Sequence, residues 1–148
     1  MANSDDRGAI ADAARARGEE LSAAGVAGIA LTFVDNAGVT RVKAIPTARL
    51  EHAVVHGVGM STVHDVFQVD DSITTSKYIG GPVGDLRLRP DLDALTVLHA
   101  QPGWAWAPVD RWMKDGRPYR PDQRTFARRM VRAVQDAGVT PRMGFEIE

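Results

Sequence analysis

Near its start the chain carries Ile10, Ala13, Ala14, Arg17, Leu21 and Ala24 at intervals of three, four and seven residues. That spacing puts them on one face and predicts an amphipathic helix from about Asp5 to Ala24, with a thin apolar stripe and Gly25 placed to end it. The period then changes. An apolar run, Ile29 to Val34, is followed by Asp35-Asn36-Ala37-Gly38 and by alternating residues from Val39 to Ile45. Two strands joined by a turn that tolerates positive φ predict a β-hairpin. Pro46 closes the second strand, and Thr47 can cap a short helix from Ala48 to His56 that stops at Gly57.

From Gly59 to Asp85 glycine, serine, threonine and aspartate recur with no sustained period. This reads as a long loop with one short strand near Val63 to Val69; loops of this length in compact domains are usually functional or disordered. Pattern resumes at Leu86-Arg87-Leu88-Arg89, at Leu95 to Ala100 and at Trp104 to Val109, three further expected strands. Lys114-Asp115-Gly116-Arg117 is a turn, and Pro118 and Pro121 mark an expected domain boundary. Asp122 is a good N-cap for a helix carrying Phe126, Met130, Val131, Val134 and Ala137 on one side and ending at Gly138. A strand from Val139 to Glu148 is expected next, and a chain that stops on it reads as truncated.

Composition narrows the classes of function. The 148 residues are 44% hydrophobic and 25% charged, which is ordinary globular usage with room for one domain and the opening of a second. Eighteen basic and nineteen acidic residues leave a net charge of -1, so nothing pulls the chain toward nucleic acid or an anionic membrane. With no cysteine, disulfide frameworks and thiolate metal sites are excluded. The charged, alanine-rich first 25 residues hold neither a signal-peptide core nor a membrane span, and a cytoplasmic protein is expected.

Candidate chemistry concentrates in acids. In a terminal strand, Glu146 and Glu148 would leave one face together, with Phe145 and Ile147 on the other. Two such carboxylates repel unless a cation lies between them; on their own they also suit a solvated surface strand. His52 and His56 share a predicted helix face, but no acid at compatible spacing supports a metal there. Trp104 and Trp106 share a strand face and suit core or subunit packing better than base stacking, because no basic field accompanies them.

Five stretches, in order, carry a resemblance: DNAGVTRVKAIP, then GDLRLRPDLDAL, then APVDRW, then DGRPYRPDQRTFARRMVRAVQDAG, and finally GFEIE. Over residues 27–148 the chain resembles the amino-terminal third of the glutamine synthetase family. The resemblance implies an α+β fold: an N-terminal helix (1–26), a β-grasp domain (27–120) and, over 121–148, the start of the glutamine synthetase catalytic α/β domain. It also implies an activity, an ATP-dependent ligase that joins ammonia or a small amine to the γ-carboxylate of glutamate through γ-glutamyl phosphate. This segment alone is expected to be inactive.

By the same resemblance Glu146 and Glu148 match the family's first two metal-ligand glutamates, with Mg²⁺ or Mn²⁺ as the ion and ATP as substrate. Hard divalent cations take oxygen ligands, which suits acids rather than histidines. The family forms rings with active sites between subunits, and the β-grasp domain lends a loop to the neighbouring site; DDSITTSKYIGGPVGD is the candidate loop. Where many members carry F-D-G-S-S, whose acid helps bind and deprotonate ammonium, this chain reads Phe67-Gln68-Val69-Asp70-Asp71-Ser72. Asp71 and Ser72 are the expected counterparts, and Asp85 matches a later family aspartate. The departure points from ammonia toward a bulkier amine, as in the γ-glutamyl polyamine or ethanolamine ligases of this superfamily. The alternative is a non-catalytic member acting as an assembly or regulatory binding module; two mutually repelling glutamates favour the enzyme.

Overall fold

A computed structural model describes residues 4–146. Helix α1 (Ser4–Ala23) leads into the hairpin of β1 (Gly28–Val34) and β2 (Thr40–Pro46), then a 3₁₀ turn (Thr47–Arg49) and helix α2 (Leu50–His56). Strand β3 (Val58–Met60), a second 3₁₀ turn (Thr62–Asp65) and a long irregular stretch precede β4 (Leu86–Pro90), β5 (Thr96–Val97), β6 (Trp104–Met113) and helix α3 (Gln123–Asp136). The sheet runs β2-β1-β6-β4-β3, with β5 also on β6. β1 and β6 are parallel and every other pair is antiparallel.

The ten-residue β6 organises this sheet. Its first half pairs with β1 and β5, and its second half with β4. Alternation turns Ala105, Ala107, Val109 and Arg111 to one face, opposite Ile29 and Leu31 of β1 and Leu88 of β4. Ala14 and Leu21 of α1 and Leu50, Ala53 and Val54 of α2 close over that face and complete the core. Small alanines at the middle of the sheet leave room for helix side chains to reach it. On the opposite face Trp106 is half-buried and its Nε1 donates to Thr32 Oγ1 at 2.8 Å, while Trp104 remains 40% exposed. The tryptophans therefore lie outside the core.

Several sequence expectations change. The strand expected near Val63 to Val69 is a 3₁₀ turn over Thr62–Asp65 followed by a knuckle in which Phe67 bridges Ile73. Leu95 to Ala100 yields only the two-residue β5. The apolar side of α3 does not enter this core: Phe126, Met130 and Val134 are exposed, and α3 is held instead through Arg124 and Arg128, which grip Asp91 and Asp110. Residues 139–146 form no strand. Alternation makes a strand only where a neighbour supplies hydrogen bonds, and none pairs with this stretch among the described residues.

Candidate functional site

The segment after β3 starts with a cap. Ser61 Oγ accepts the Val63 N–H at 3.1 Å, which winds the 3₁₀ turn and turns Asp65 inward. At its far end Gly84 lies so close to Thr62 that a Cβ would stand 2.5 Å from Thr62 Oγ1. Between them the chain reverses in a knuckle: Thr74 N–H donates to the Val66 carbonyl, Gln68 N–H to that of Ser72, and Asp71 N–H to that of Gln68. Asp71 has φ of 62°, the one non-glycine residue with positive φ among the described residues. Aspartate tolerates that region better than most side chains, yet it is an uncommon conformation that its surroundings must hold.

Asp70 and Ser72 lock the tip. Asp70 Oδ1 accepts the Ser72 N–H at 3.0 Å and lies 2.7 Å from the Ser72 hydroxyl. The hydroxyl first, and the backbone N–H second, hold the Asp70 carboxyl below the usual carboxylate range. Asp70, Asp71 and Ser72 are all exposed.

The carboxylates of this segment differ in what neutralises them. Asp85 lies 2.6 Å from Arg87 Nη1 and 3.5 Å from Lys114 Nζ, and the Arg87 hydrogen bond is the main reason its carboxyl is held low. Asp71 Oδ1 stands 3.6 Å from Arg41 Nη2. Asp70 has only Ser72 as a side-chain and backbone donor, with no ion pair among the described residues. It is the carboxylate of the knuckle whose charge is open to an outside cation. The sequence reading passed over it in favour of Asp71. Positive φ at Asp71 is a conformation that glycine adopts more readily than any other residue.

The knuckle stands on a buried ion network. Arg111, 1% exposed, donates from Nη1 to Asp65 Oδ1 at 2.6 Å and from Nε to Asp122 Oδ1 at 2.8 Å. Its guanidinium stacks between Phe33 and Tyr119, 5.0 Å and 5.3 Å from the ring centroids. Asp122 uses its other oxygen to cap α3, accepting the Thr125 N–H at 3.0 Å. One arginine thus ties the base of the loop, the end of β6 and the start of α3. Only the Asp122 cap was read from sequence, although Arg111 falls in phase with inward-facing Ala105, Ala107 and Val109.

The metal expectation finds less here. Glu146 is exposed in the stretch without regular structure, and Glu148 lies outside the described residues. Up to Glu146 the chain forms no strand that would set this side chain on a sheet face. His52 and His56 are exposed with rings 4.8 Å apart, and no group of three or more histidine or acidic side chains is placed to hold an ion among the described residues. A Mg²⁺ or Mn²⁺ site takes about six oxygens, so this donor set does not make one by itself. Among the described residues no helix is long and apolar enough to cross a membrane.

Comparison with known proteins gives these features a setting. Residues 14–118 match the glutamine synthetase N-terminal domain. A gamma-glutamylpolyamine synthetase of Streptomyces coelicolor is 53% identical over 130 residues, 87% of this chain and 28% of that protein. The chain thus spans little more than a quarter of that relative's length. Among solved structures, one described as a novel glutamine synthase homolog superposes with a TM-score of 0.67 at 27% identity, covering 76% of this chain and 27% of that one. A GmaS/ADP complex matches with a TM-score of 0.66 at 20% identity over 81% of this chain and 25% of its own, a likeness of fold. The mixed sheet with helices across one face is accordingly the α+β fold of that N-terminal domain, consistent with a β-grasp. The chain belongs to the glutamine synthetase family.

Proposed function

We propose that this chain is the amino-terminal part of an ATP-dependent ligase that joins a small amine, and a polyamine in preference to ammonia, to the γ-carboxylate of glutamate. The knuckle tip carries the reading, because Asp70 is fixed by Ser72 and left without a cation of its own. An alkyl ammonium, with pKa of roughly 10, arrives charged and needs such a carboxylate. The identity to a gamma-glutamylpolyamine synthetase supports the choice of amine. In this reading residues up to about 120 form the β-grasp domain and residues from 121 open the catalytic domain. The knuckle faces the amine of a neighbouring subunit's site in a ring.

The reaction needs the amine nitrogen to form a bond to the γ-carbonyl carbon of glutamyl phosphate while the C–O bond to phosphate breaks. Phosphate leaves with that electron pair, and the nitrogen, which arrives as –NH3+, gives up two protons to solvent, one before attack to free its lone pair and one as the amide forms. Asp70 is a weak base with its carboxyl held low, so its part is to hold the ammonium at the site entrance. Asp71 and Ser72 shape the tip around it. Asp85, already neutralised by Arg87 and Lys114, fixes the segment's far end rather than the amine. Glu146 and Glu148 are two proposed ligands of Mg²⁺ or Mn²⁺, with other ligands elsewhere in the longer protein. No step here is routed through that ion.

The test is an assay of the longer ligase for ATP-dependent phosphate release with glutamate and, separately, ammonium, a diamine, a triamine and ethanolamine. A polyamine should be preferred, and Asp70→Asn should raise its KM about tenfold or more, the loss of one charge-assisted contact. Equal turnover with ammonium, or none with any amine, would overturn the reading; the second result would favour an assembly or regulatory module.

A further inference from the structure

Behind the knuckle lies one cation that the proposed chemistry does not use. Arg41 sits on β2, and its Nε donates to Asp35 Oδ2 at 2.7 Å. Asp35 is fully buried in the hairpin turn, where its other oxygen accepts the N–H groups of Ala37 and Val39. That pairing fixes the guanidinium from the hairpin side. Its carbon then lies 5.3 Å from the centroid of the Phe67 ring, at the root of the knuckle, and Phe67 in turn packs edge-on against His64. One of the other two nitrogens, Nη2, is buried and makes no hydrogen bond, and it stands 3.6 Å from Asp71 Oδ1.

We infer that Arg41 is a positioning residue for the amine-binding knuckle. It clamps the knuckle at its root through Phe67 and at its tip through Asp71. The inference rests on the functional reading above, but its physical part concerns the fold alone. Asp71 adopts an uncommon backbone conformation whose own hydrogen bonds are few: its N–H to Gln68 and the turn beside it. A cation anchored in the hairpin supplies what the loop lacks. It also partitions charge between adjacent carboxylates. Arg41 draws on Asp71 and leaves Asp70 bare, so an incoming ammonium meets one open carboxylate on one side of the tip rather than two. A second cation near Asp71 would meet Arg41 and be repelled.

The discriminating variant is Arg41→Lys. Lysine keeps a positive charge for buried Asp35 but has no planar fork with which to reach Asp35, Phe67 and Asp71 together. Hydrogen exchange of the Asp71 and Ser72 amides in this chain should accelerate by about twofold to fivefold, the effect of losing an ion pair whose acid is exposed, while the Val39 amide on the hairpin changes little. In the longer ligase the same variant should raise KM for the polyamine several-fold with a smaller change in kcat. Asp71→Asn should reproduce the exchange effect, and combining it with Arg41→Lys should add little. Unchanged knuckle exchange in Arg41→Lys would overturn the clamp. Faster exchange with unchanged KM would also overturn the positioning role if Asp70→Asn does raise KM; if Asp70→Asn leaves KM unchanged too, it is the amine reading of the knuckle that fails.

Discussion

Arg111 Nη1 and Asp65 Oδ1 meet at 2.6 Å in a place where each side chain is 1% exposed. Around this pair Arg111 also donates to Asp122 and lies against two aromatic faces, and Asp122 caps α3, while Asp65 Oδ2 and Arg111 Nη2 stay buried without a hydrogen-bond partner. Removing one partner strands the others. Asp65→Asn and Arg111→Met should each destabilise the chain by about 3–5 kcal/mol, the usual cost of breaking a buried pair from one side. The double variant should cost less than the two together, since the charge left unpaired by one change is removed by the other. Denaturant unfolding of the four proteins measures this; additive losses would show that the two side chains act independently.

Acid should destabilise the fold through one buried and one half-buried group, with the same sign. Burial works to raise the Asp35 carboxyl, but the Val39 N–H and Arg41 outweigh it and hold it below its ordinary value of 3.8. A depressed carboxylate contributes stability above 3.8 that is lost as pH falls through the lower folded-state value. His64 is held below its ordinary 6.5, by burial first and by Arg41 second. Below 6.5 the unfolded chain takes up a proton that folded His64 refuses, so stability begins to fall there as pH drops. The wild-type melting temperature should decline in two windows, one just below 6.5 and one below 3.8. His64→Phe should remove the first and Asp35→Asn should shrink the second, which Glu51, Asp70, Asp85 and Asp115 share with the same sign; the latter variant also starts from a lower plateau for loss of the Arg41 pair.

How much of this was legible in the sequence depended on whether the signal was local. The hairpin, β4 and the Asp122 cap follow from period and turn chemistry within a few residues and stand where expected, whereas Thr47 donates to the Val26 carbonyl instead of capping, so a 3₁₀ turn precedes α2 and the helix starts at Leu50. Thr62–Asp65 was misread because Asp65 is drawn inward by Arg111, forty-six residues away, a partner no local pattern reveals. Val139 to Glu146 alternates like a strand yet pairs with no strand among the described residues. In the knuckle the acids were visible but their inequality was not, since it depends on Arg41, Arg87 and Lys114 from other elements.

The apolar stripe of α3 makes a prediction by contrast. Phe126 is 51% exposed, and Met130 and Val134 are little less so, whereas Leu31 is fully buried. In this chain Phe126→Lys and Met130→Lys should each change stability by no more than about 0.5 kcal/mol, as surface substitutions do. Leu31→Ala should cost about 2–5 kcal/mol through lost transfer energy and a cavity. If the two lysine variants prove as damaging as Leu31→Ala, then α3 packs by its apolar face and the grip of Arg124 and Arg128 on Asp91 and Asp110 is not what holds it.

The terminal glutamates give a prediction in which the sign carries the information. If Glu146 and Glu148 are ligands in the longer ligase, Glu146→Gln or Glu148→Gln keeps the side-chain volume but removes charge that a hard cation needs. Without metal, taking one charge from a crowded acidic site should leave stability unchanged or slightly raised. With excess Mg²⁺, wild type gains stability in proportion to the logarithm of metal concentration over Kd, and the variants should gain less because their Kd is larger. A hundredfold weaker site forfeits about 2.7 kcal/mol of that gain at saturating metal, and turnover should fall with it. Melting temperatures with and without Mg²⁺, measured beside turnover, separate this from a solvated surface: equal metal-induced shifts and unchanged rates in all three proteins would remove both glutamates from the metal site.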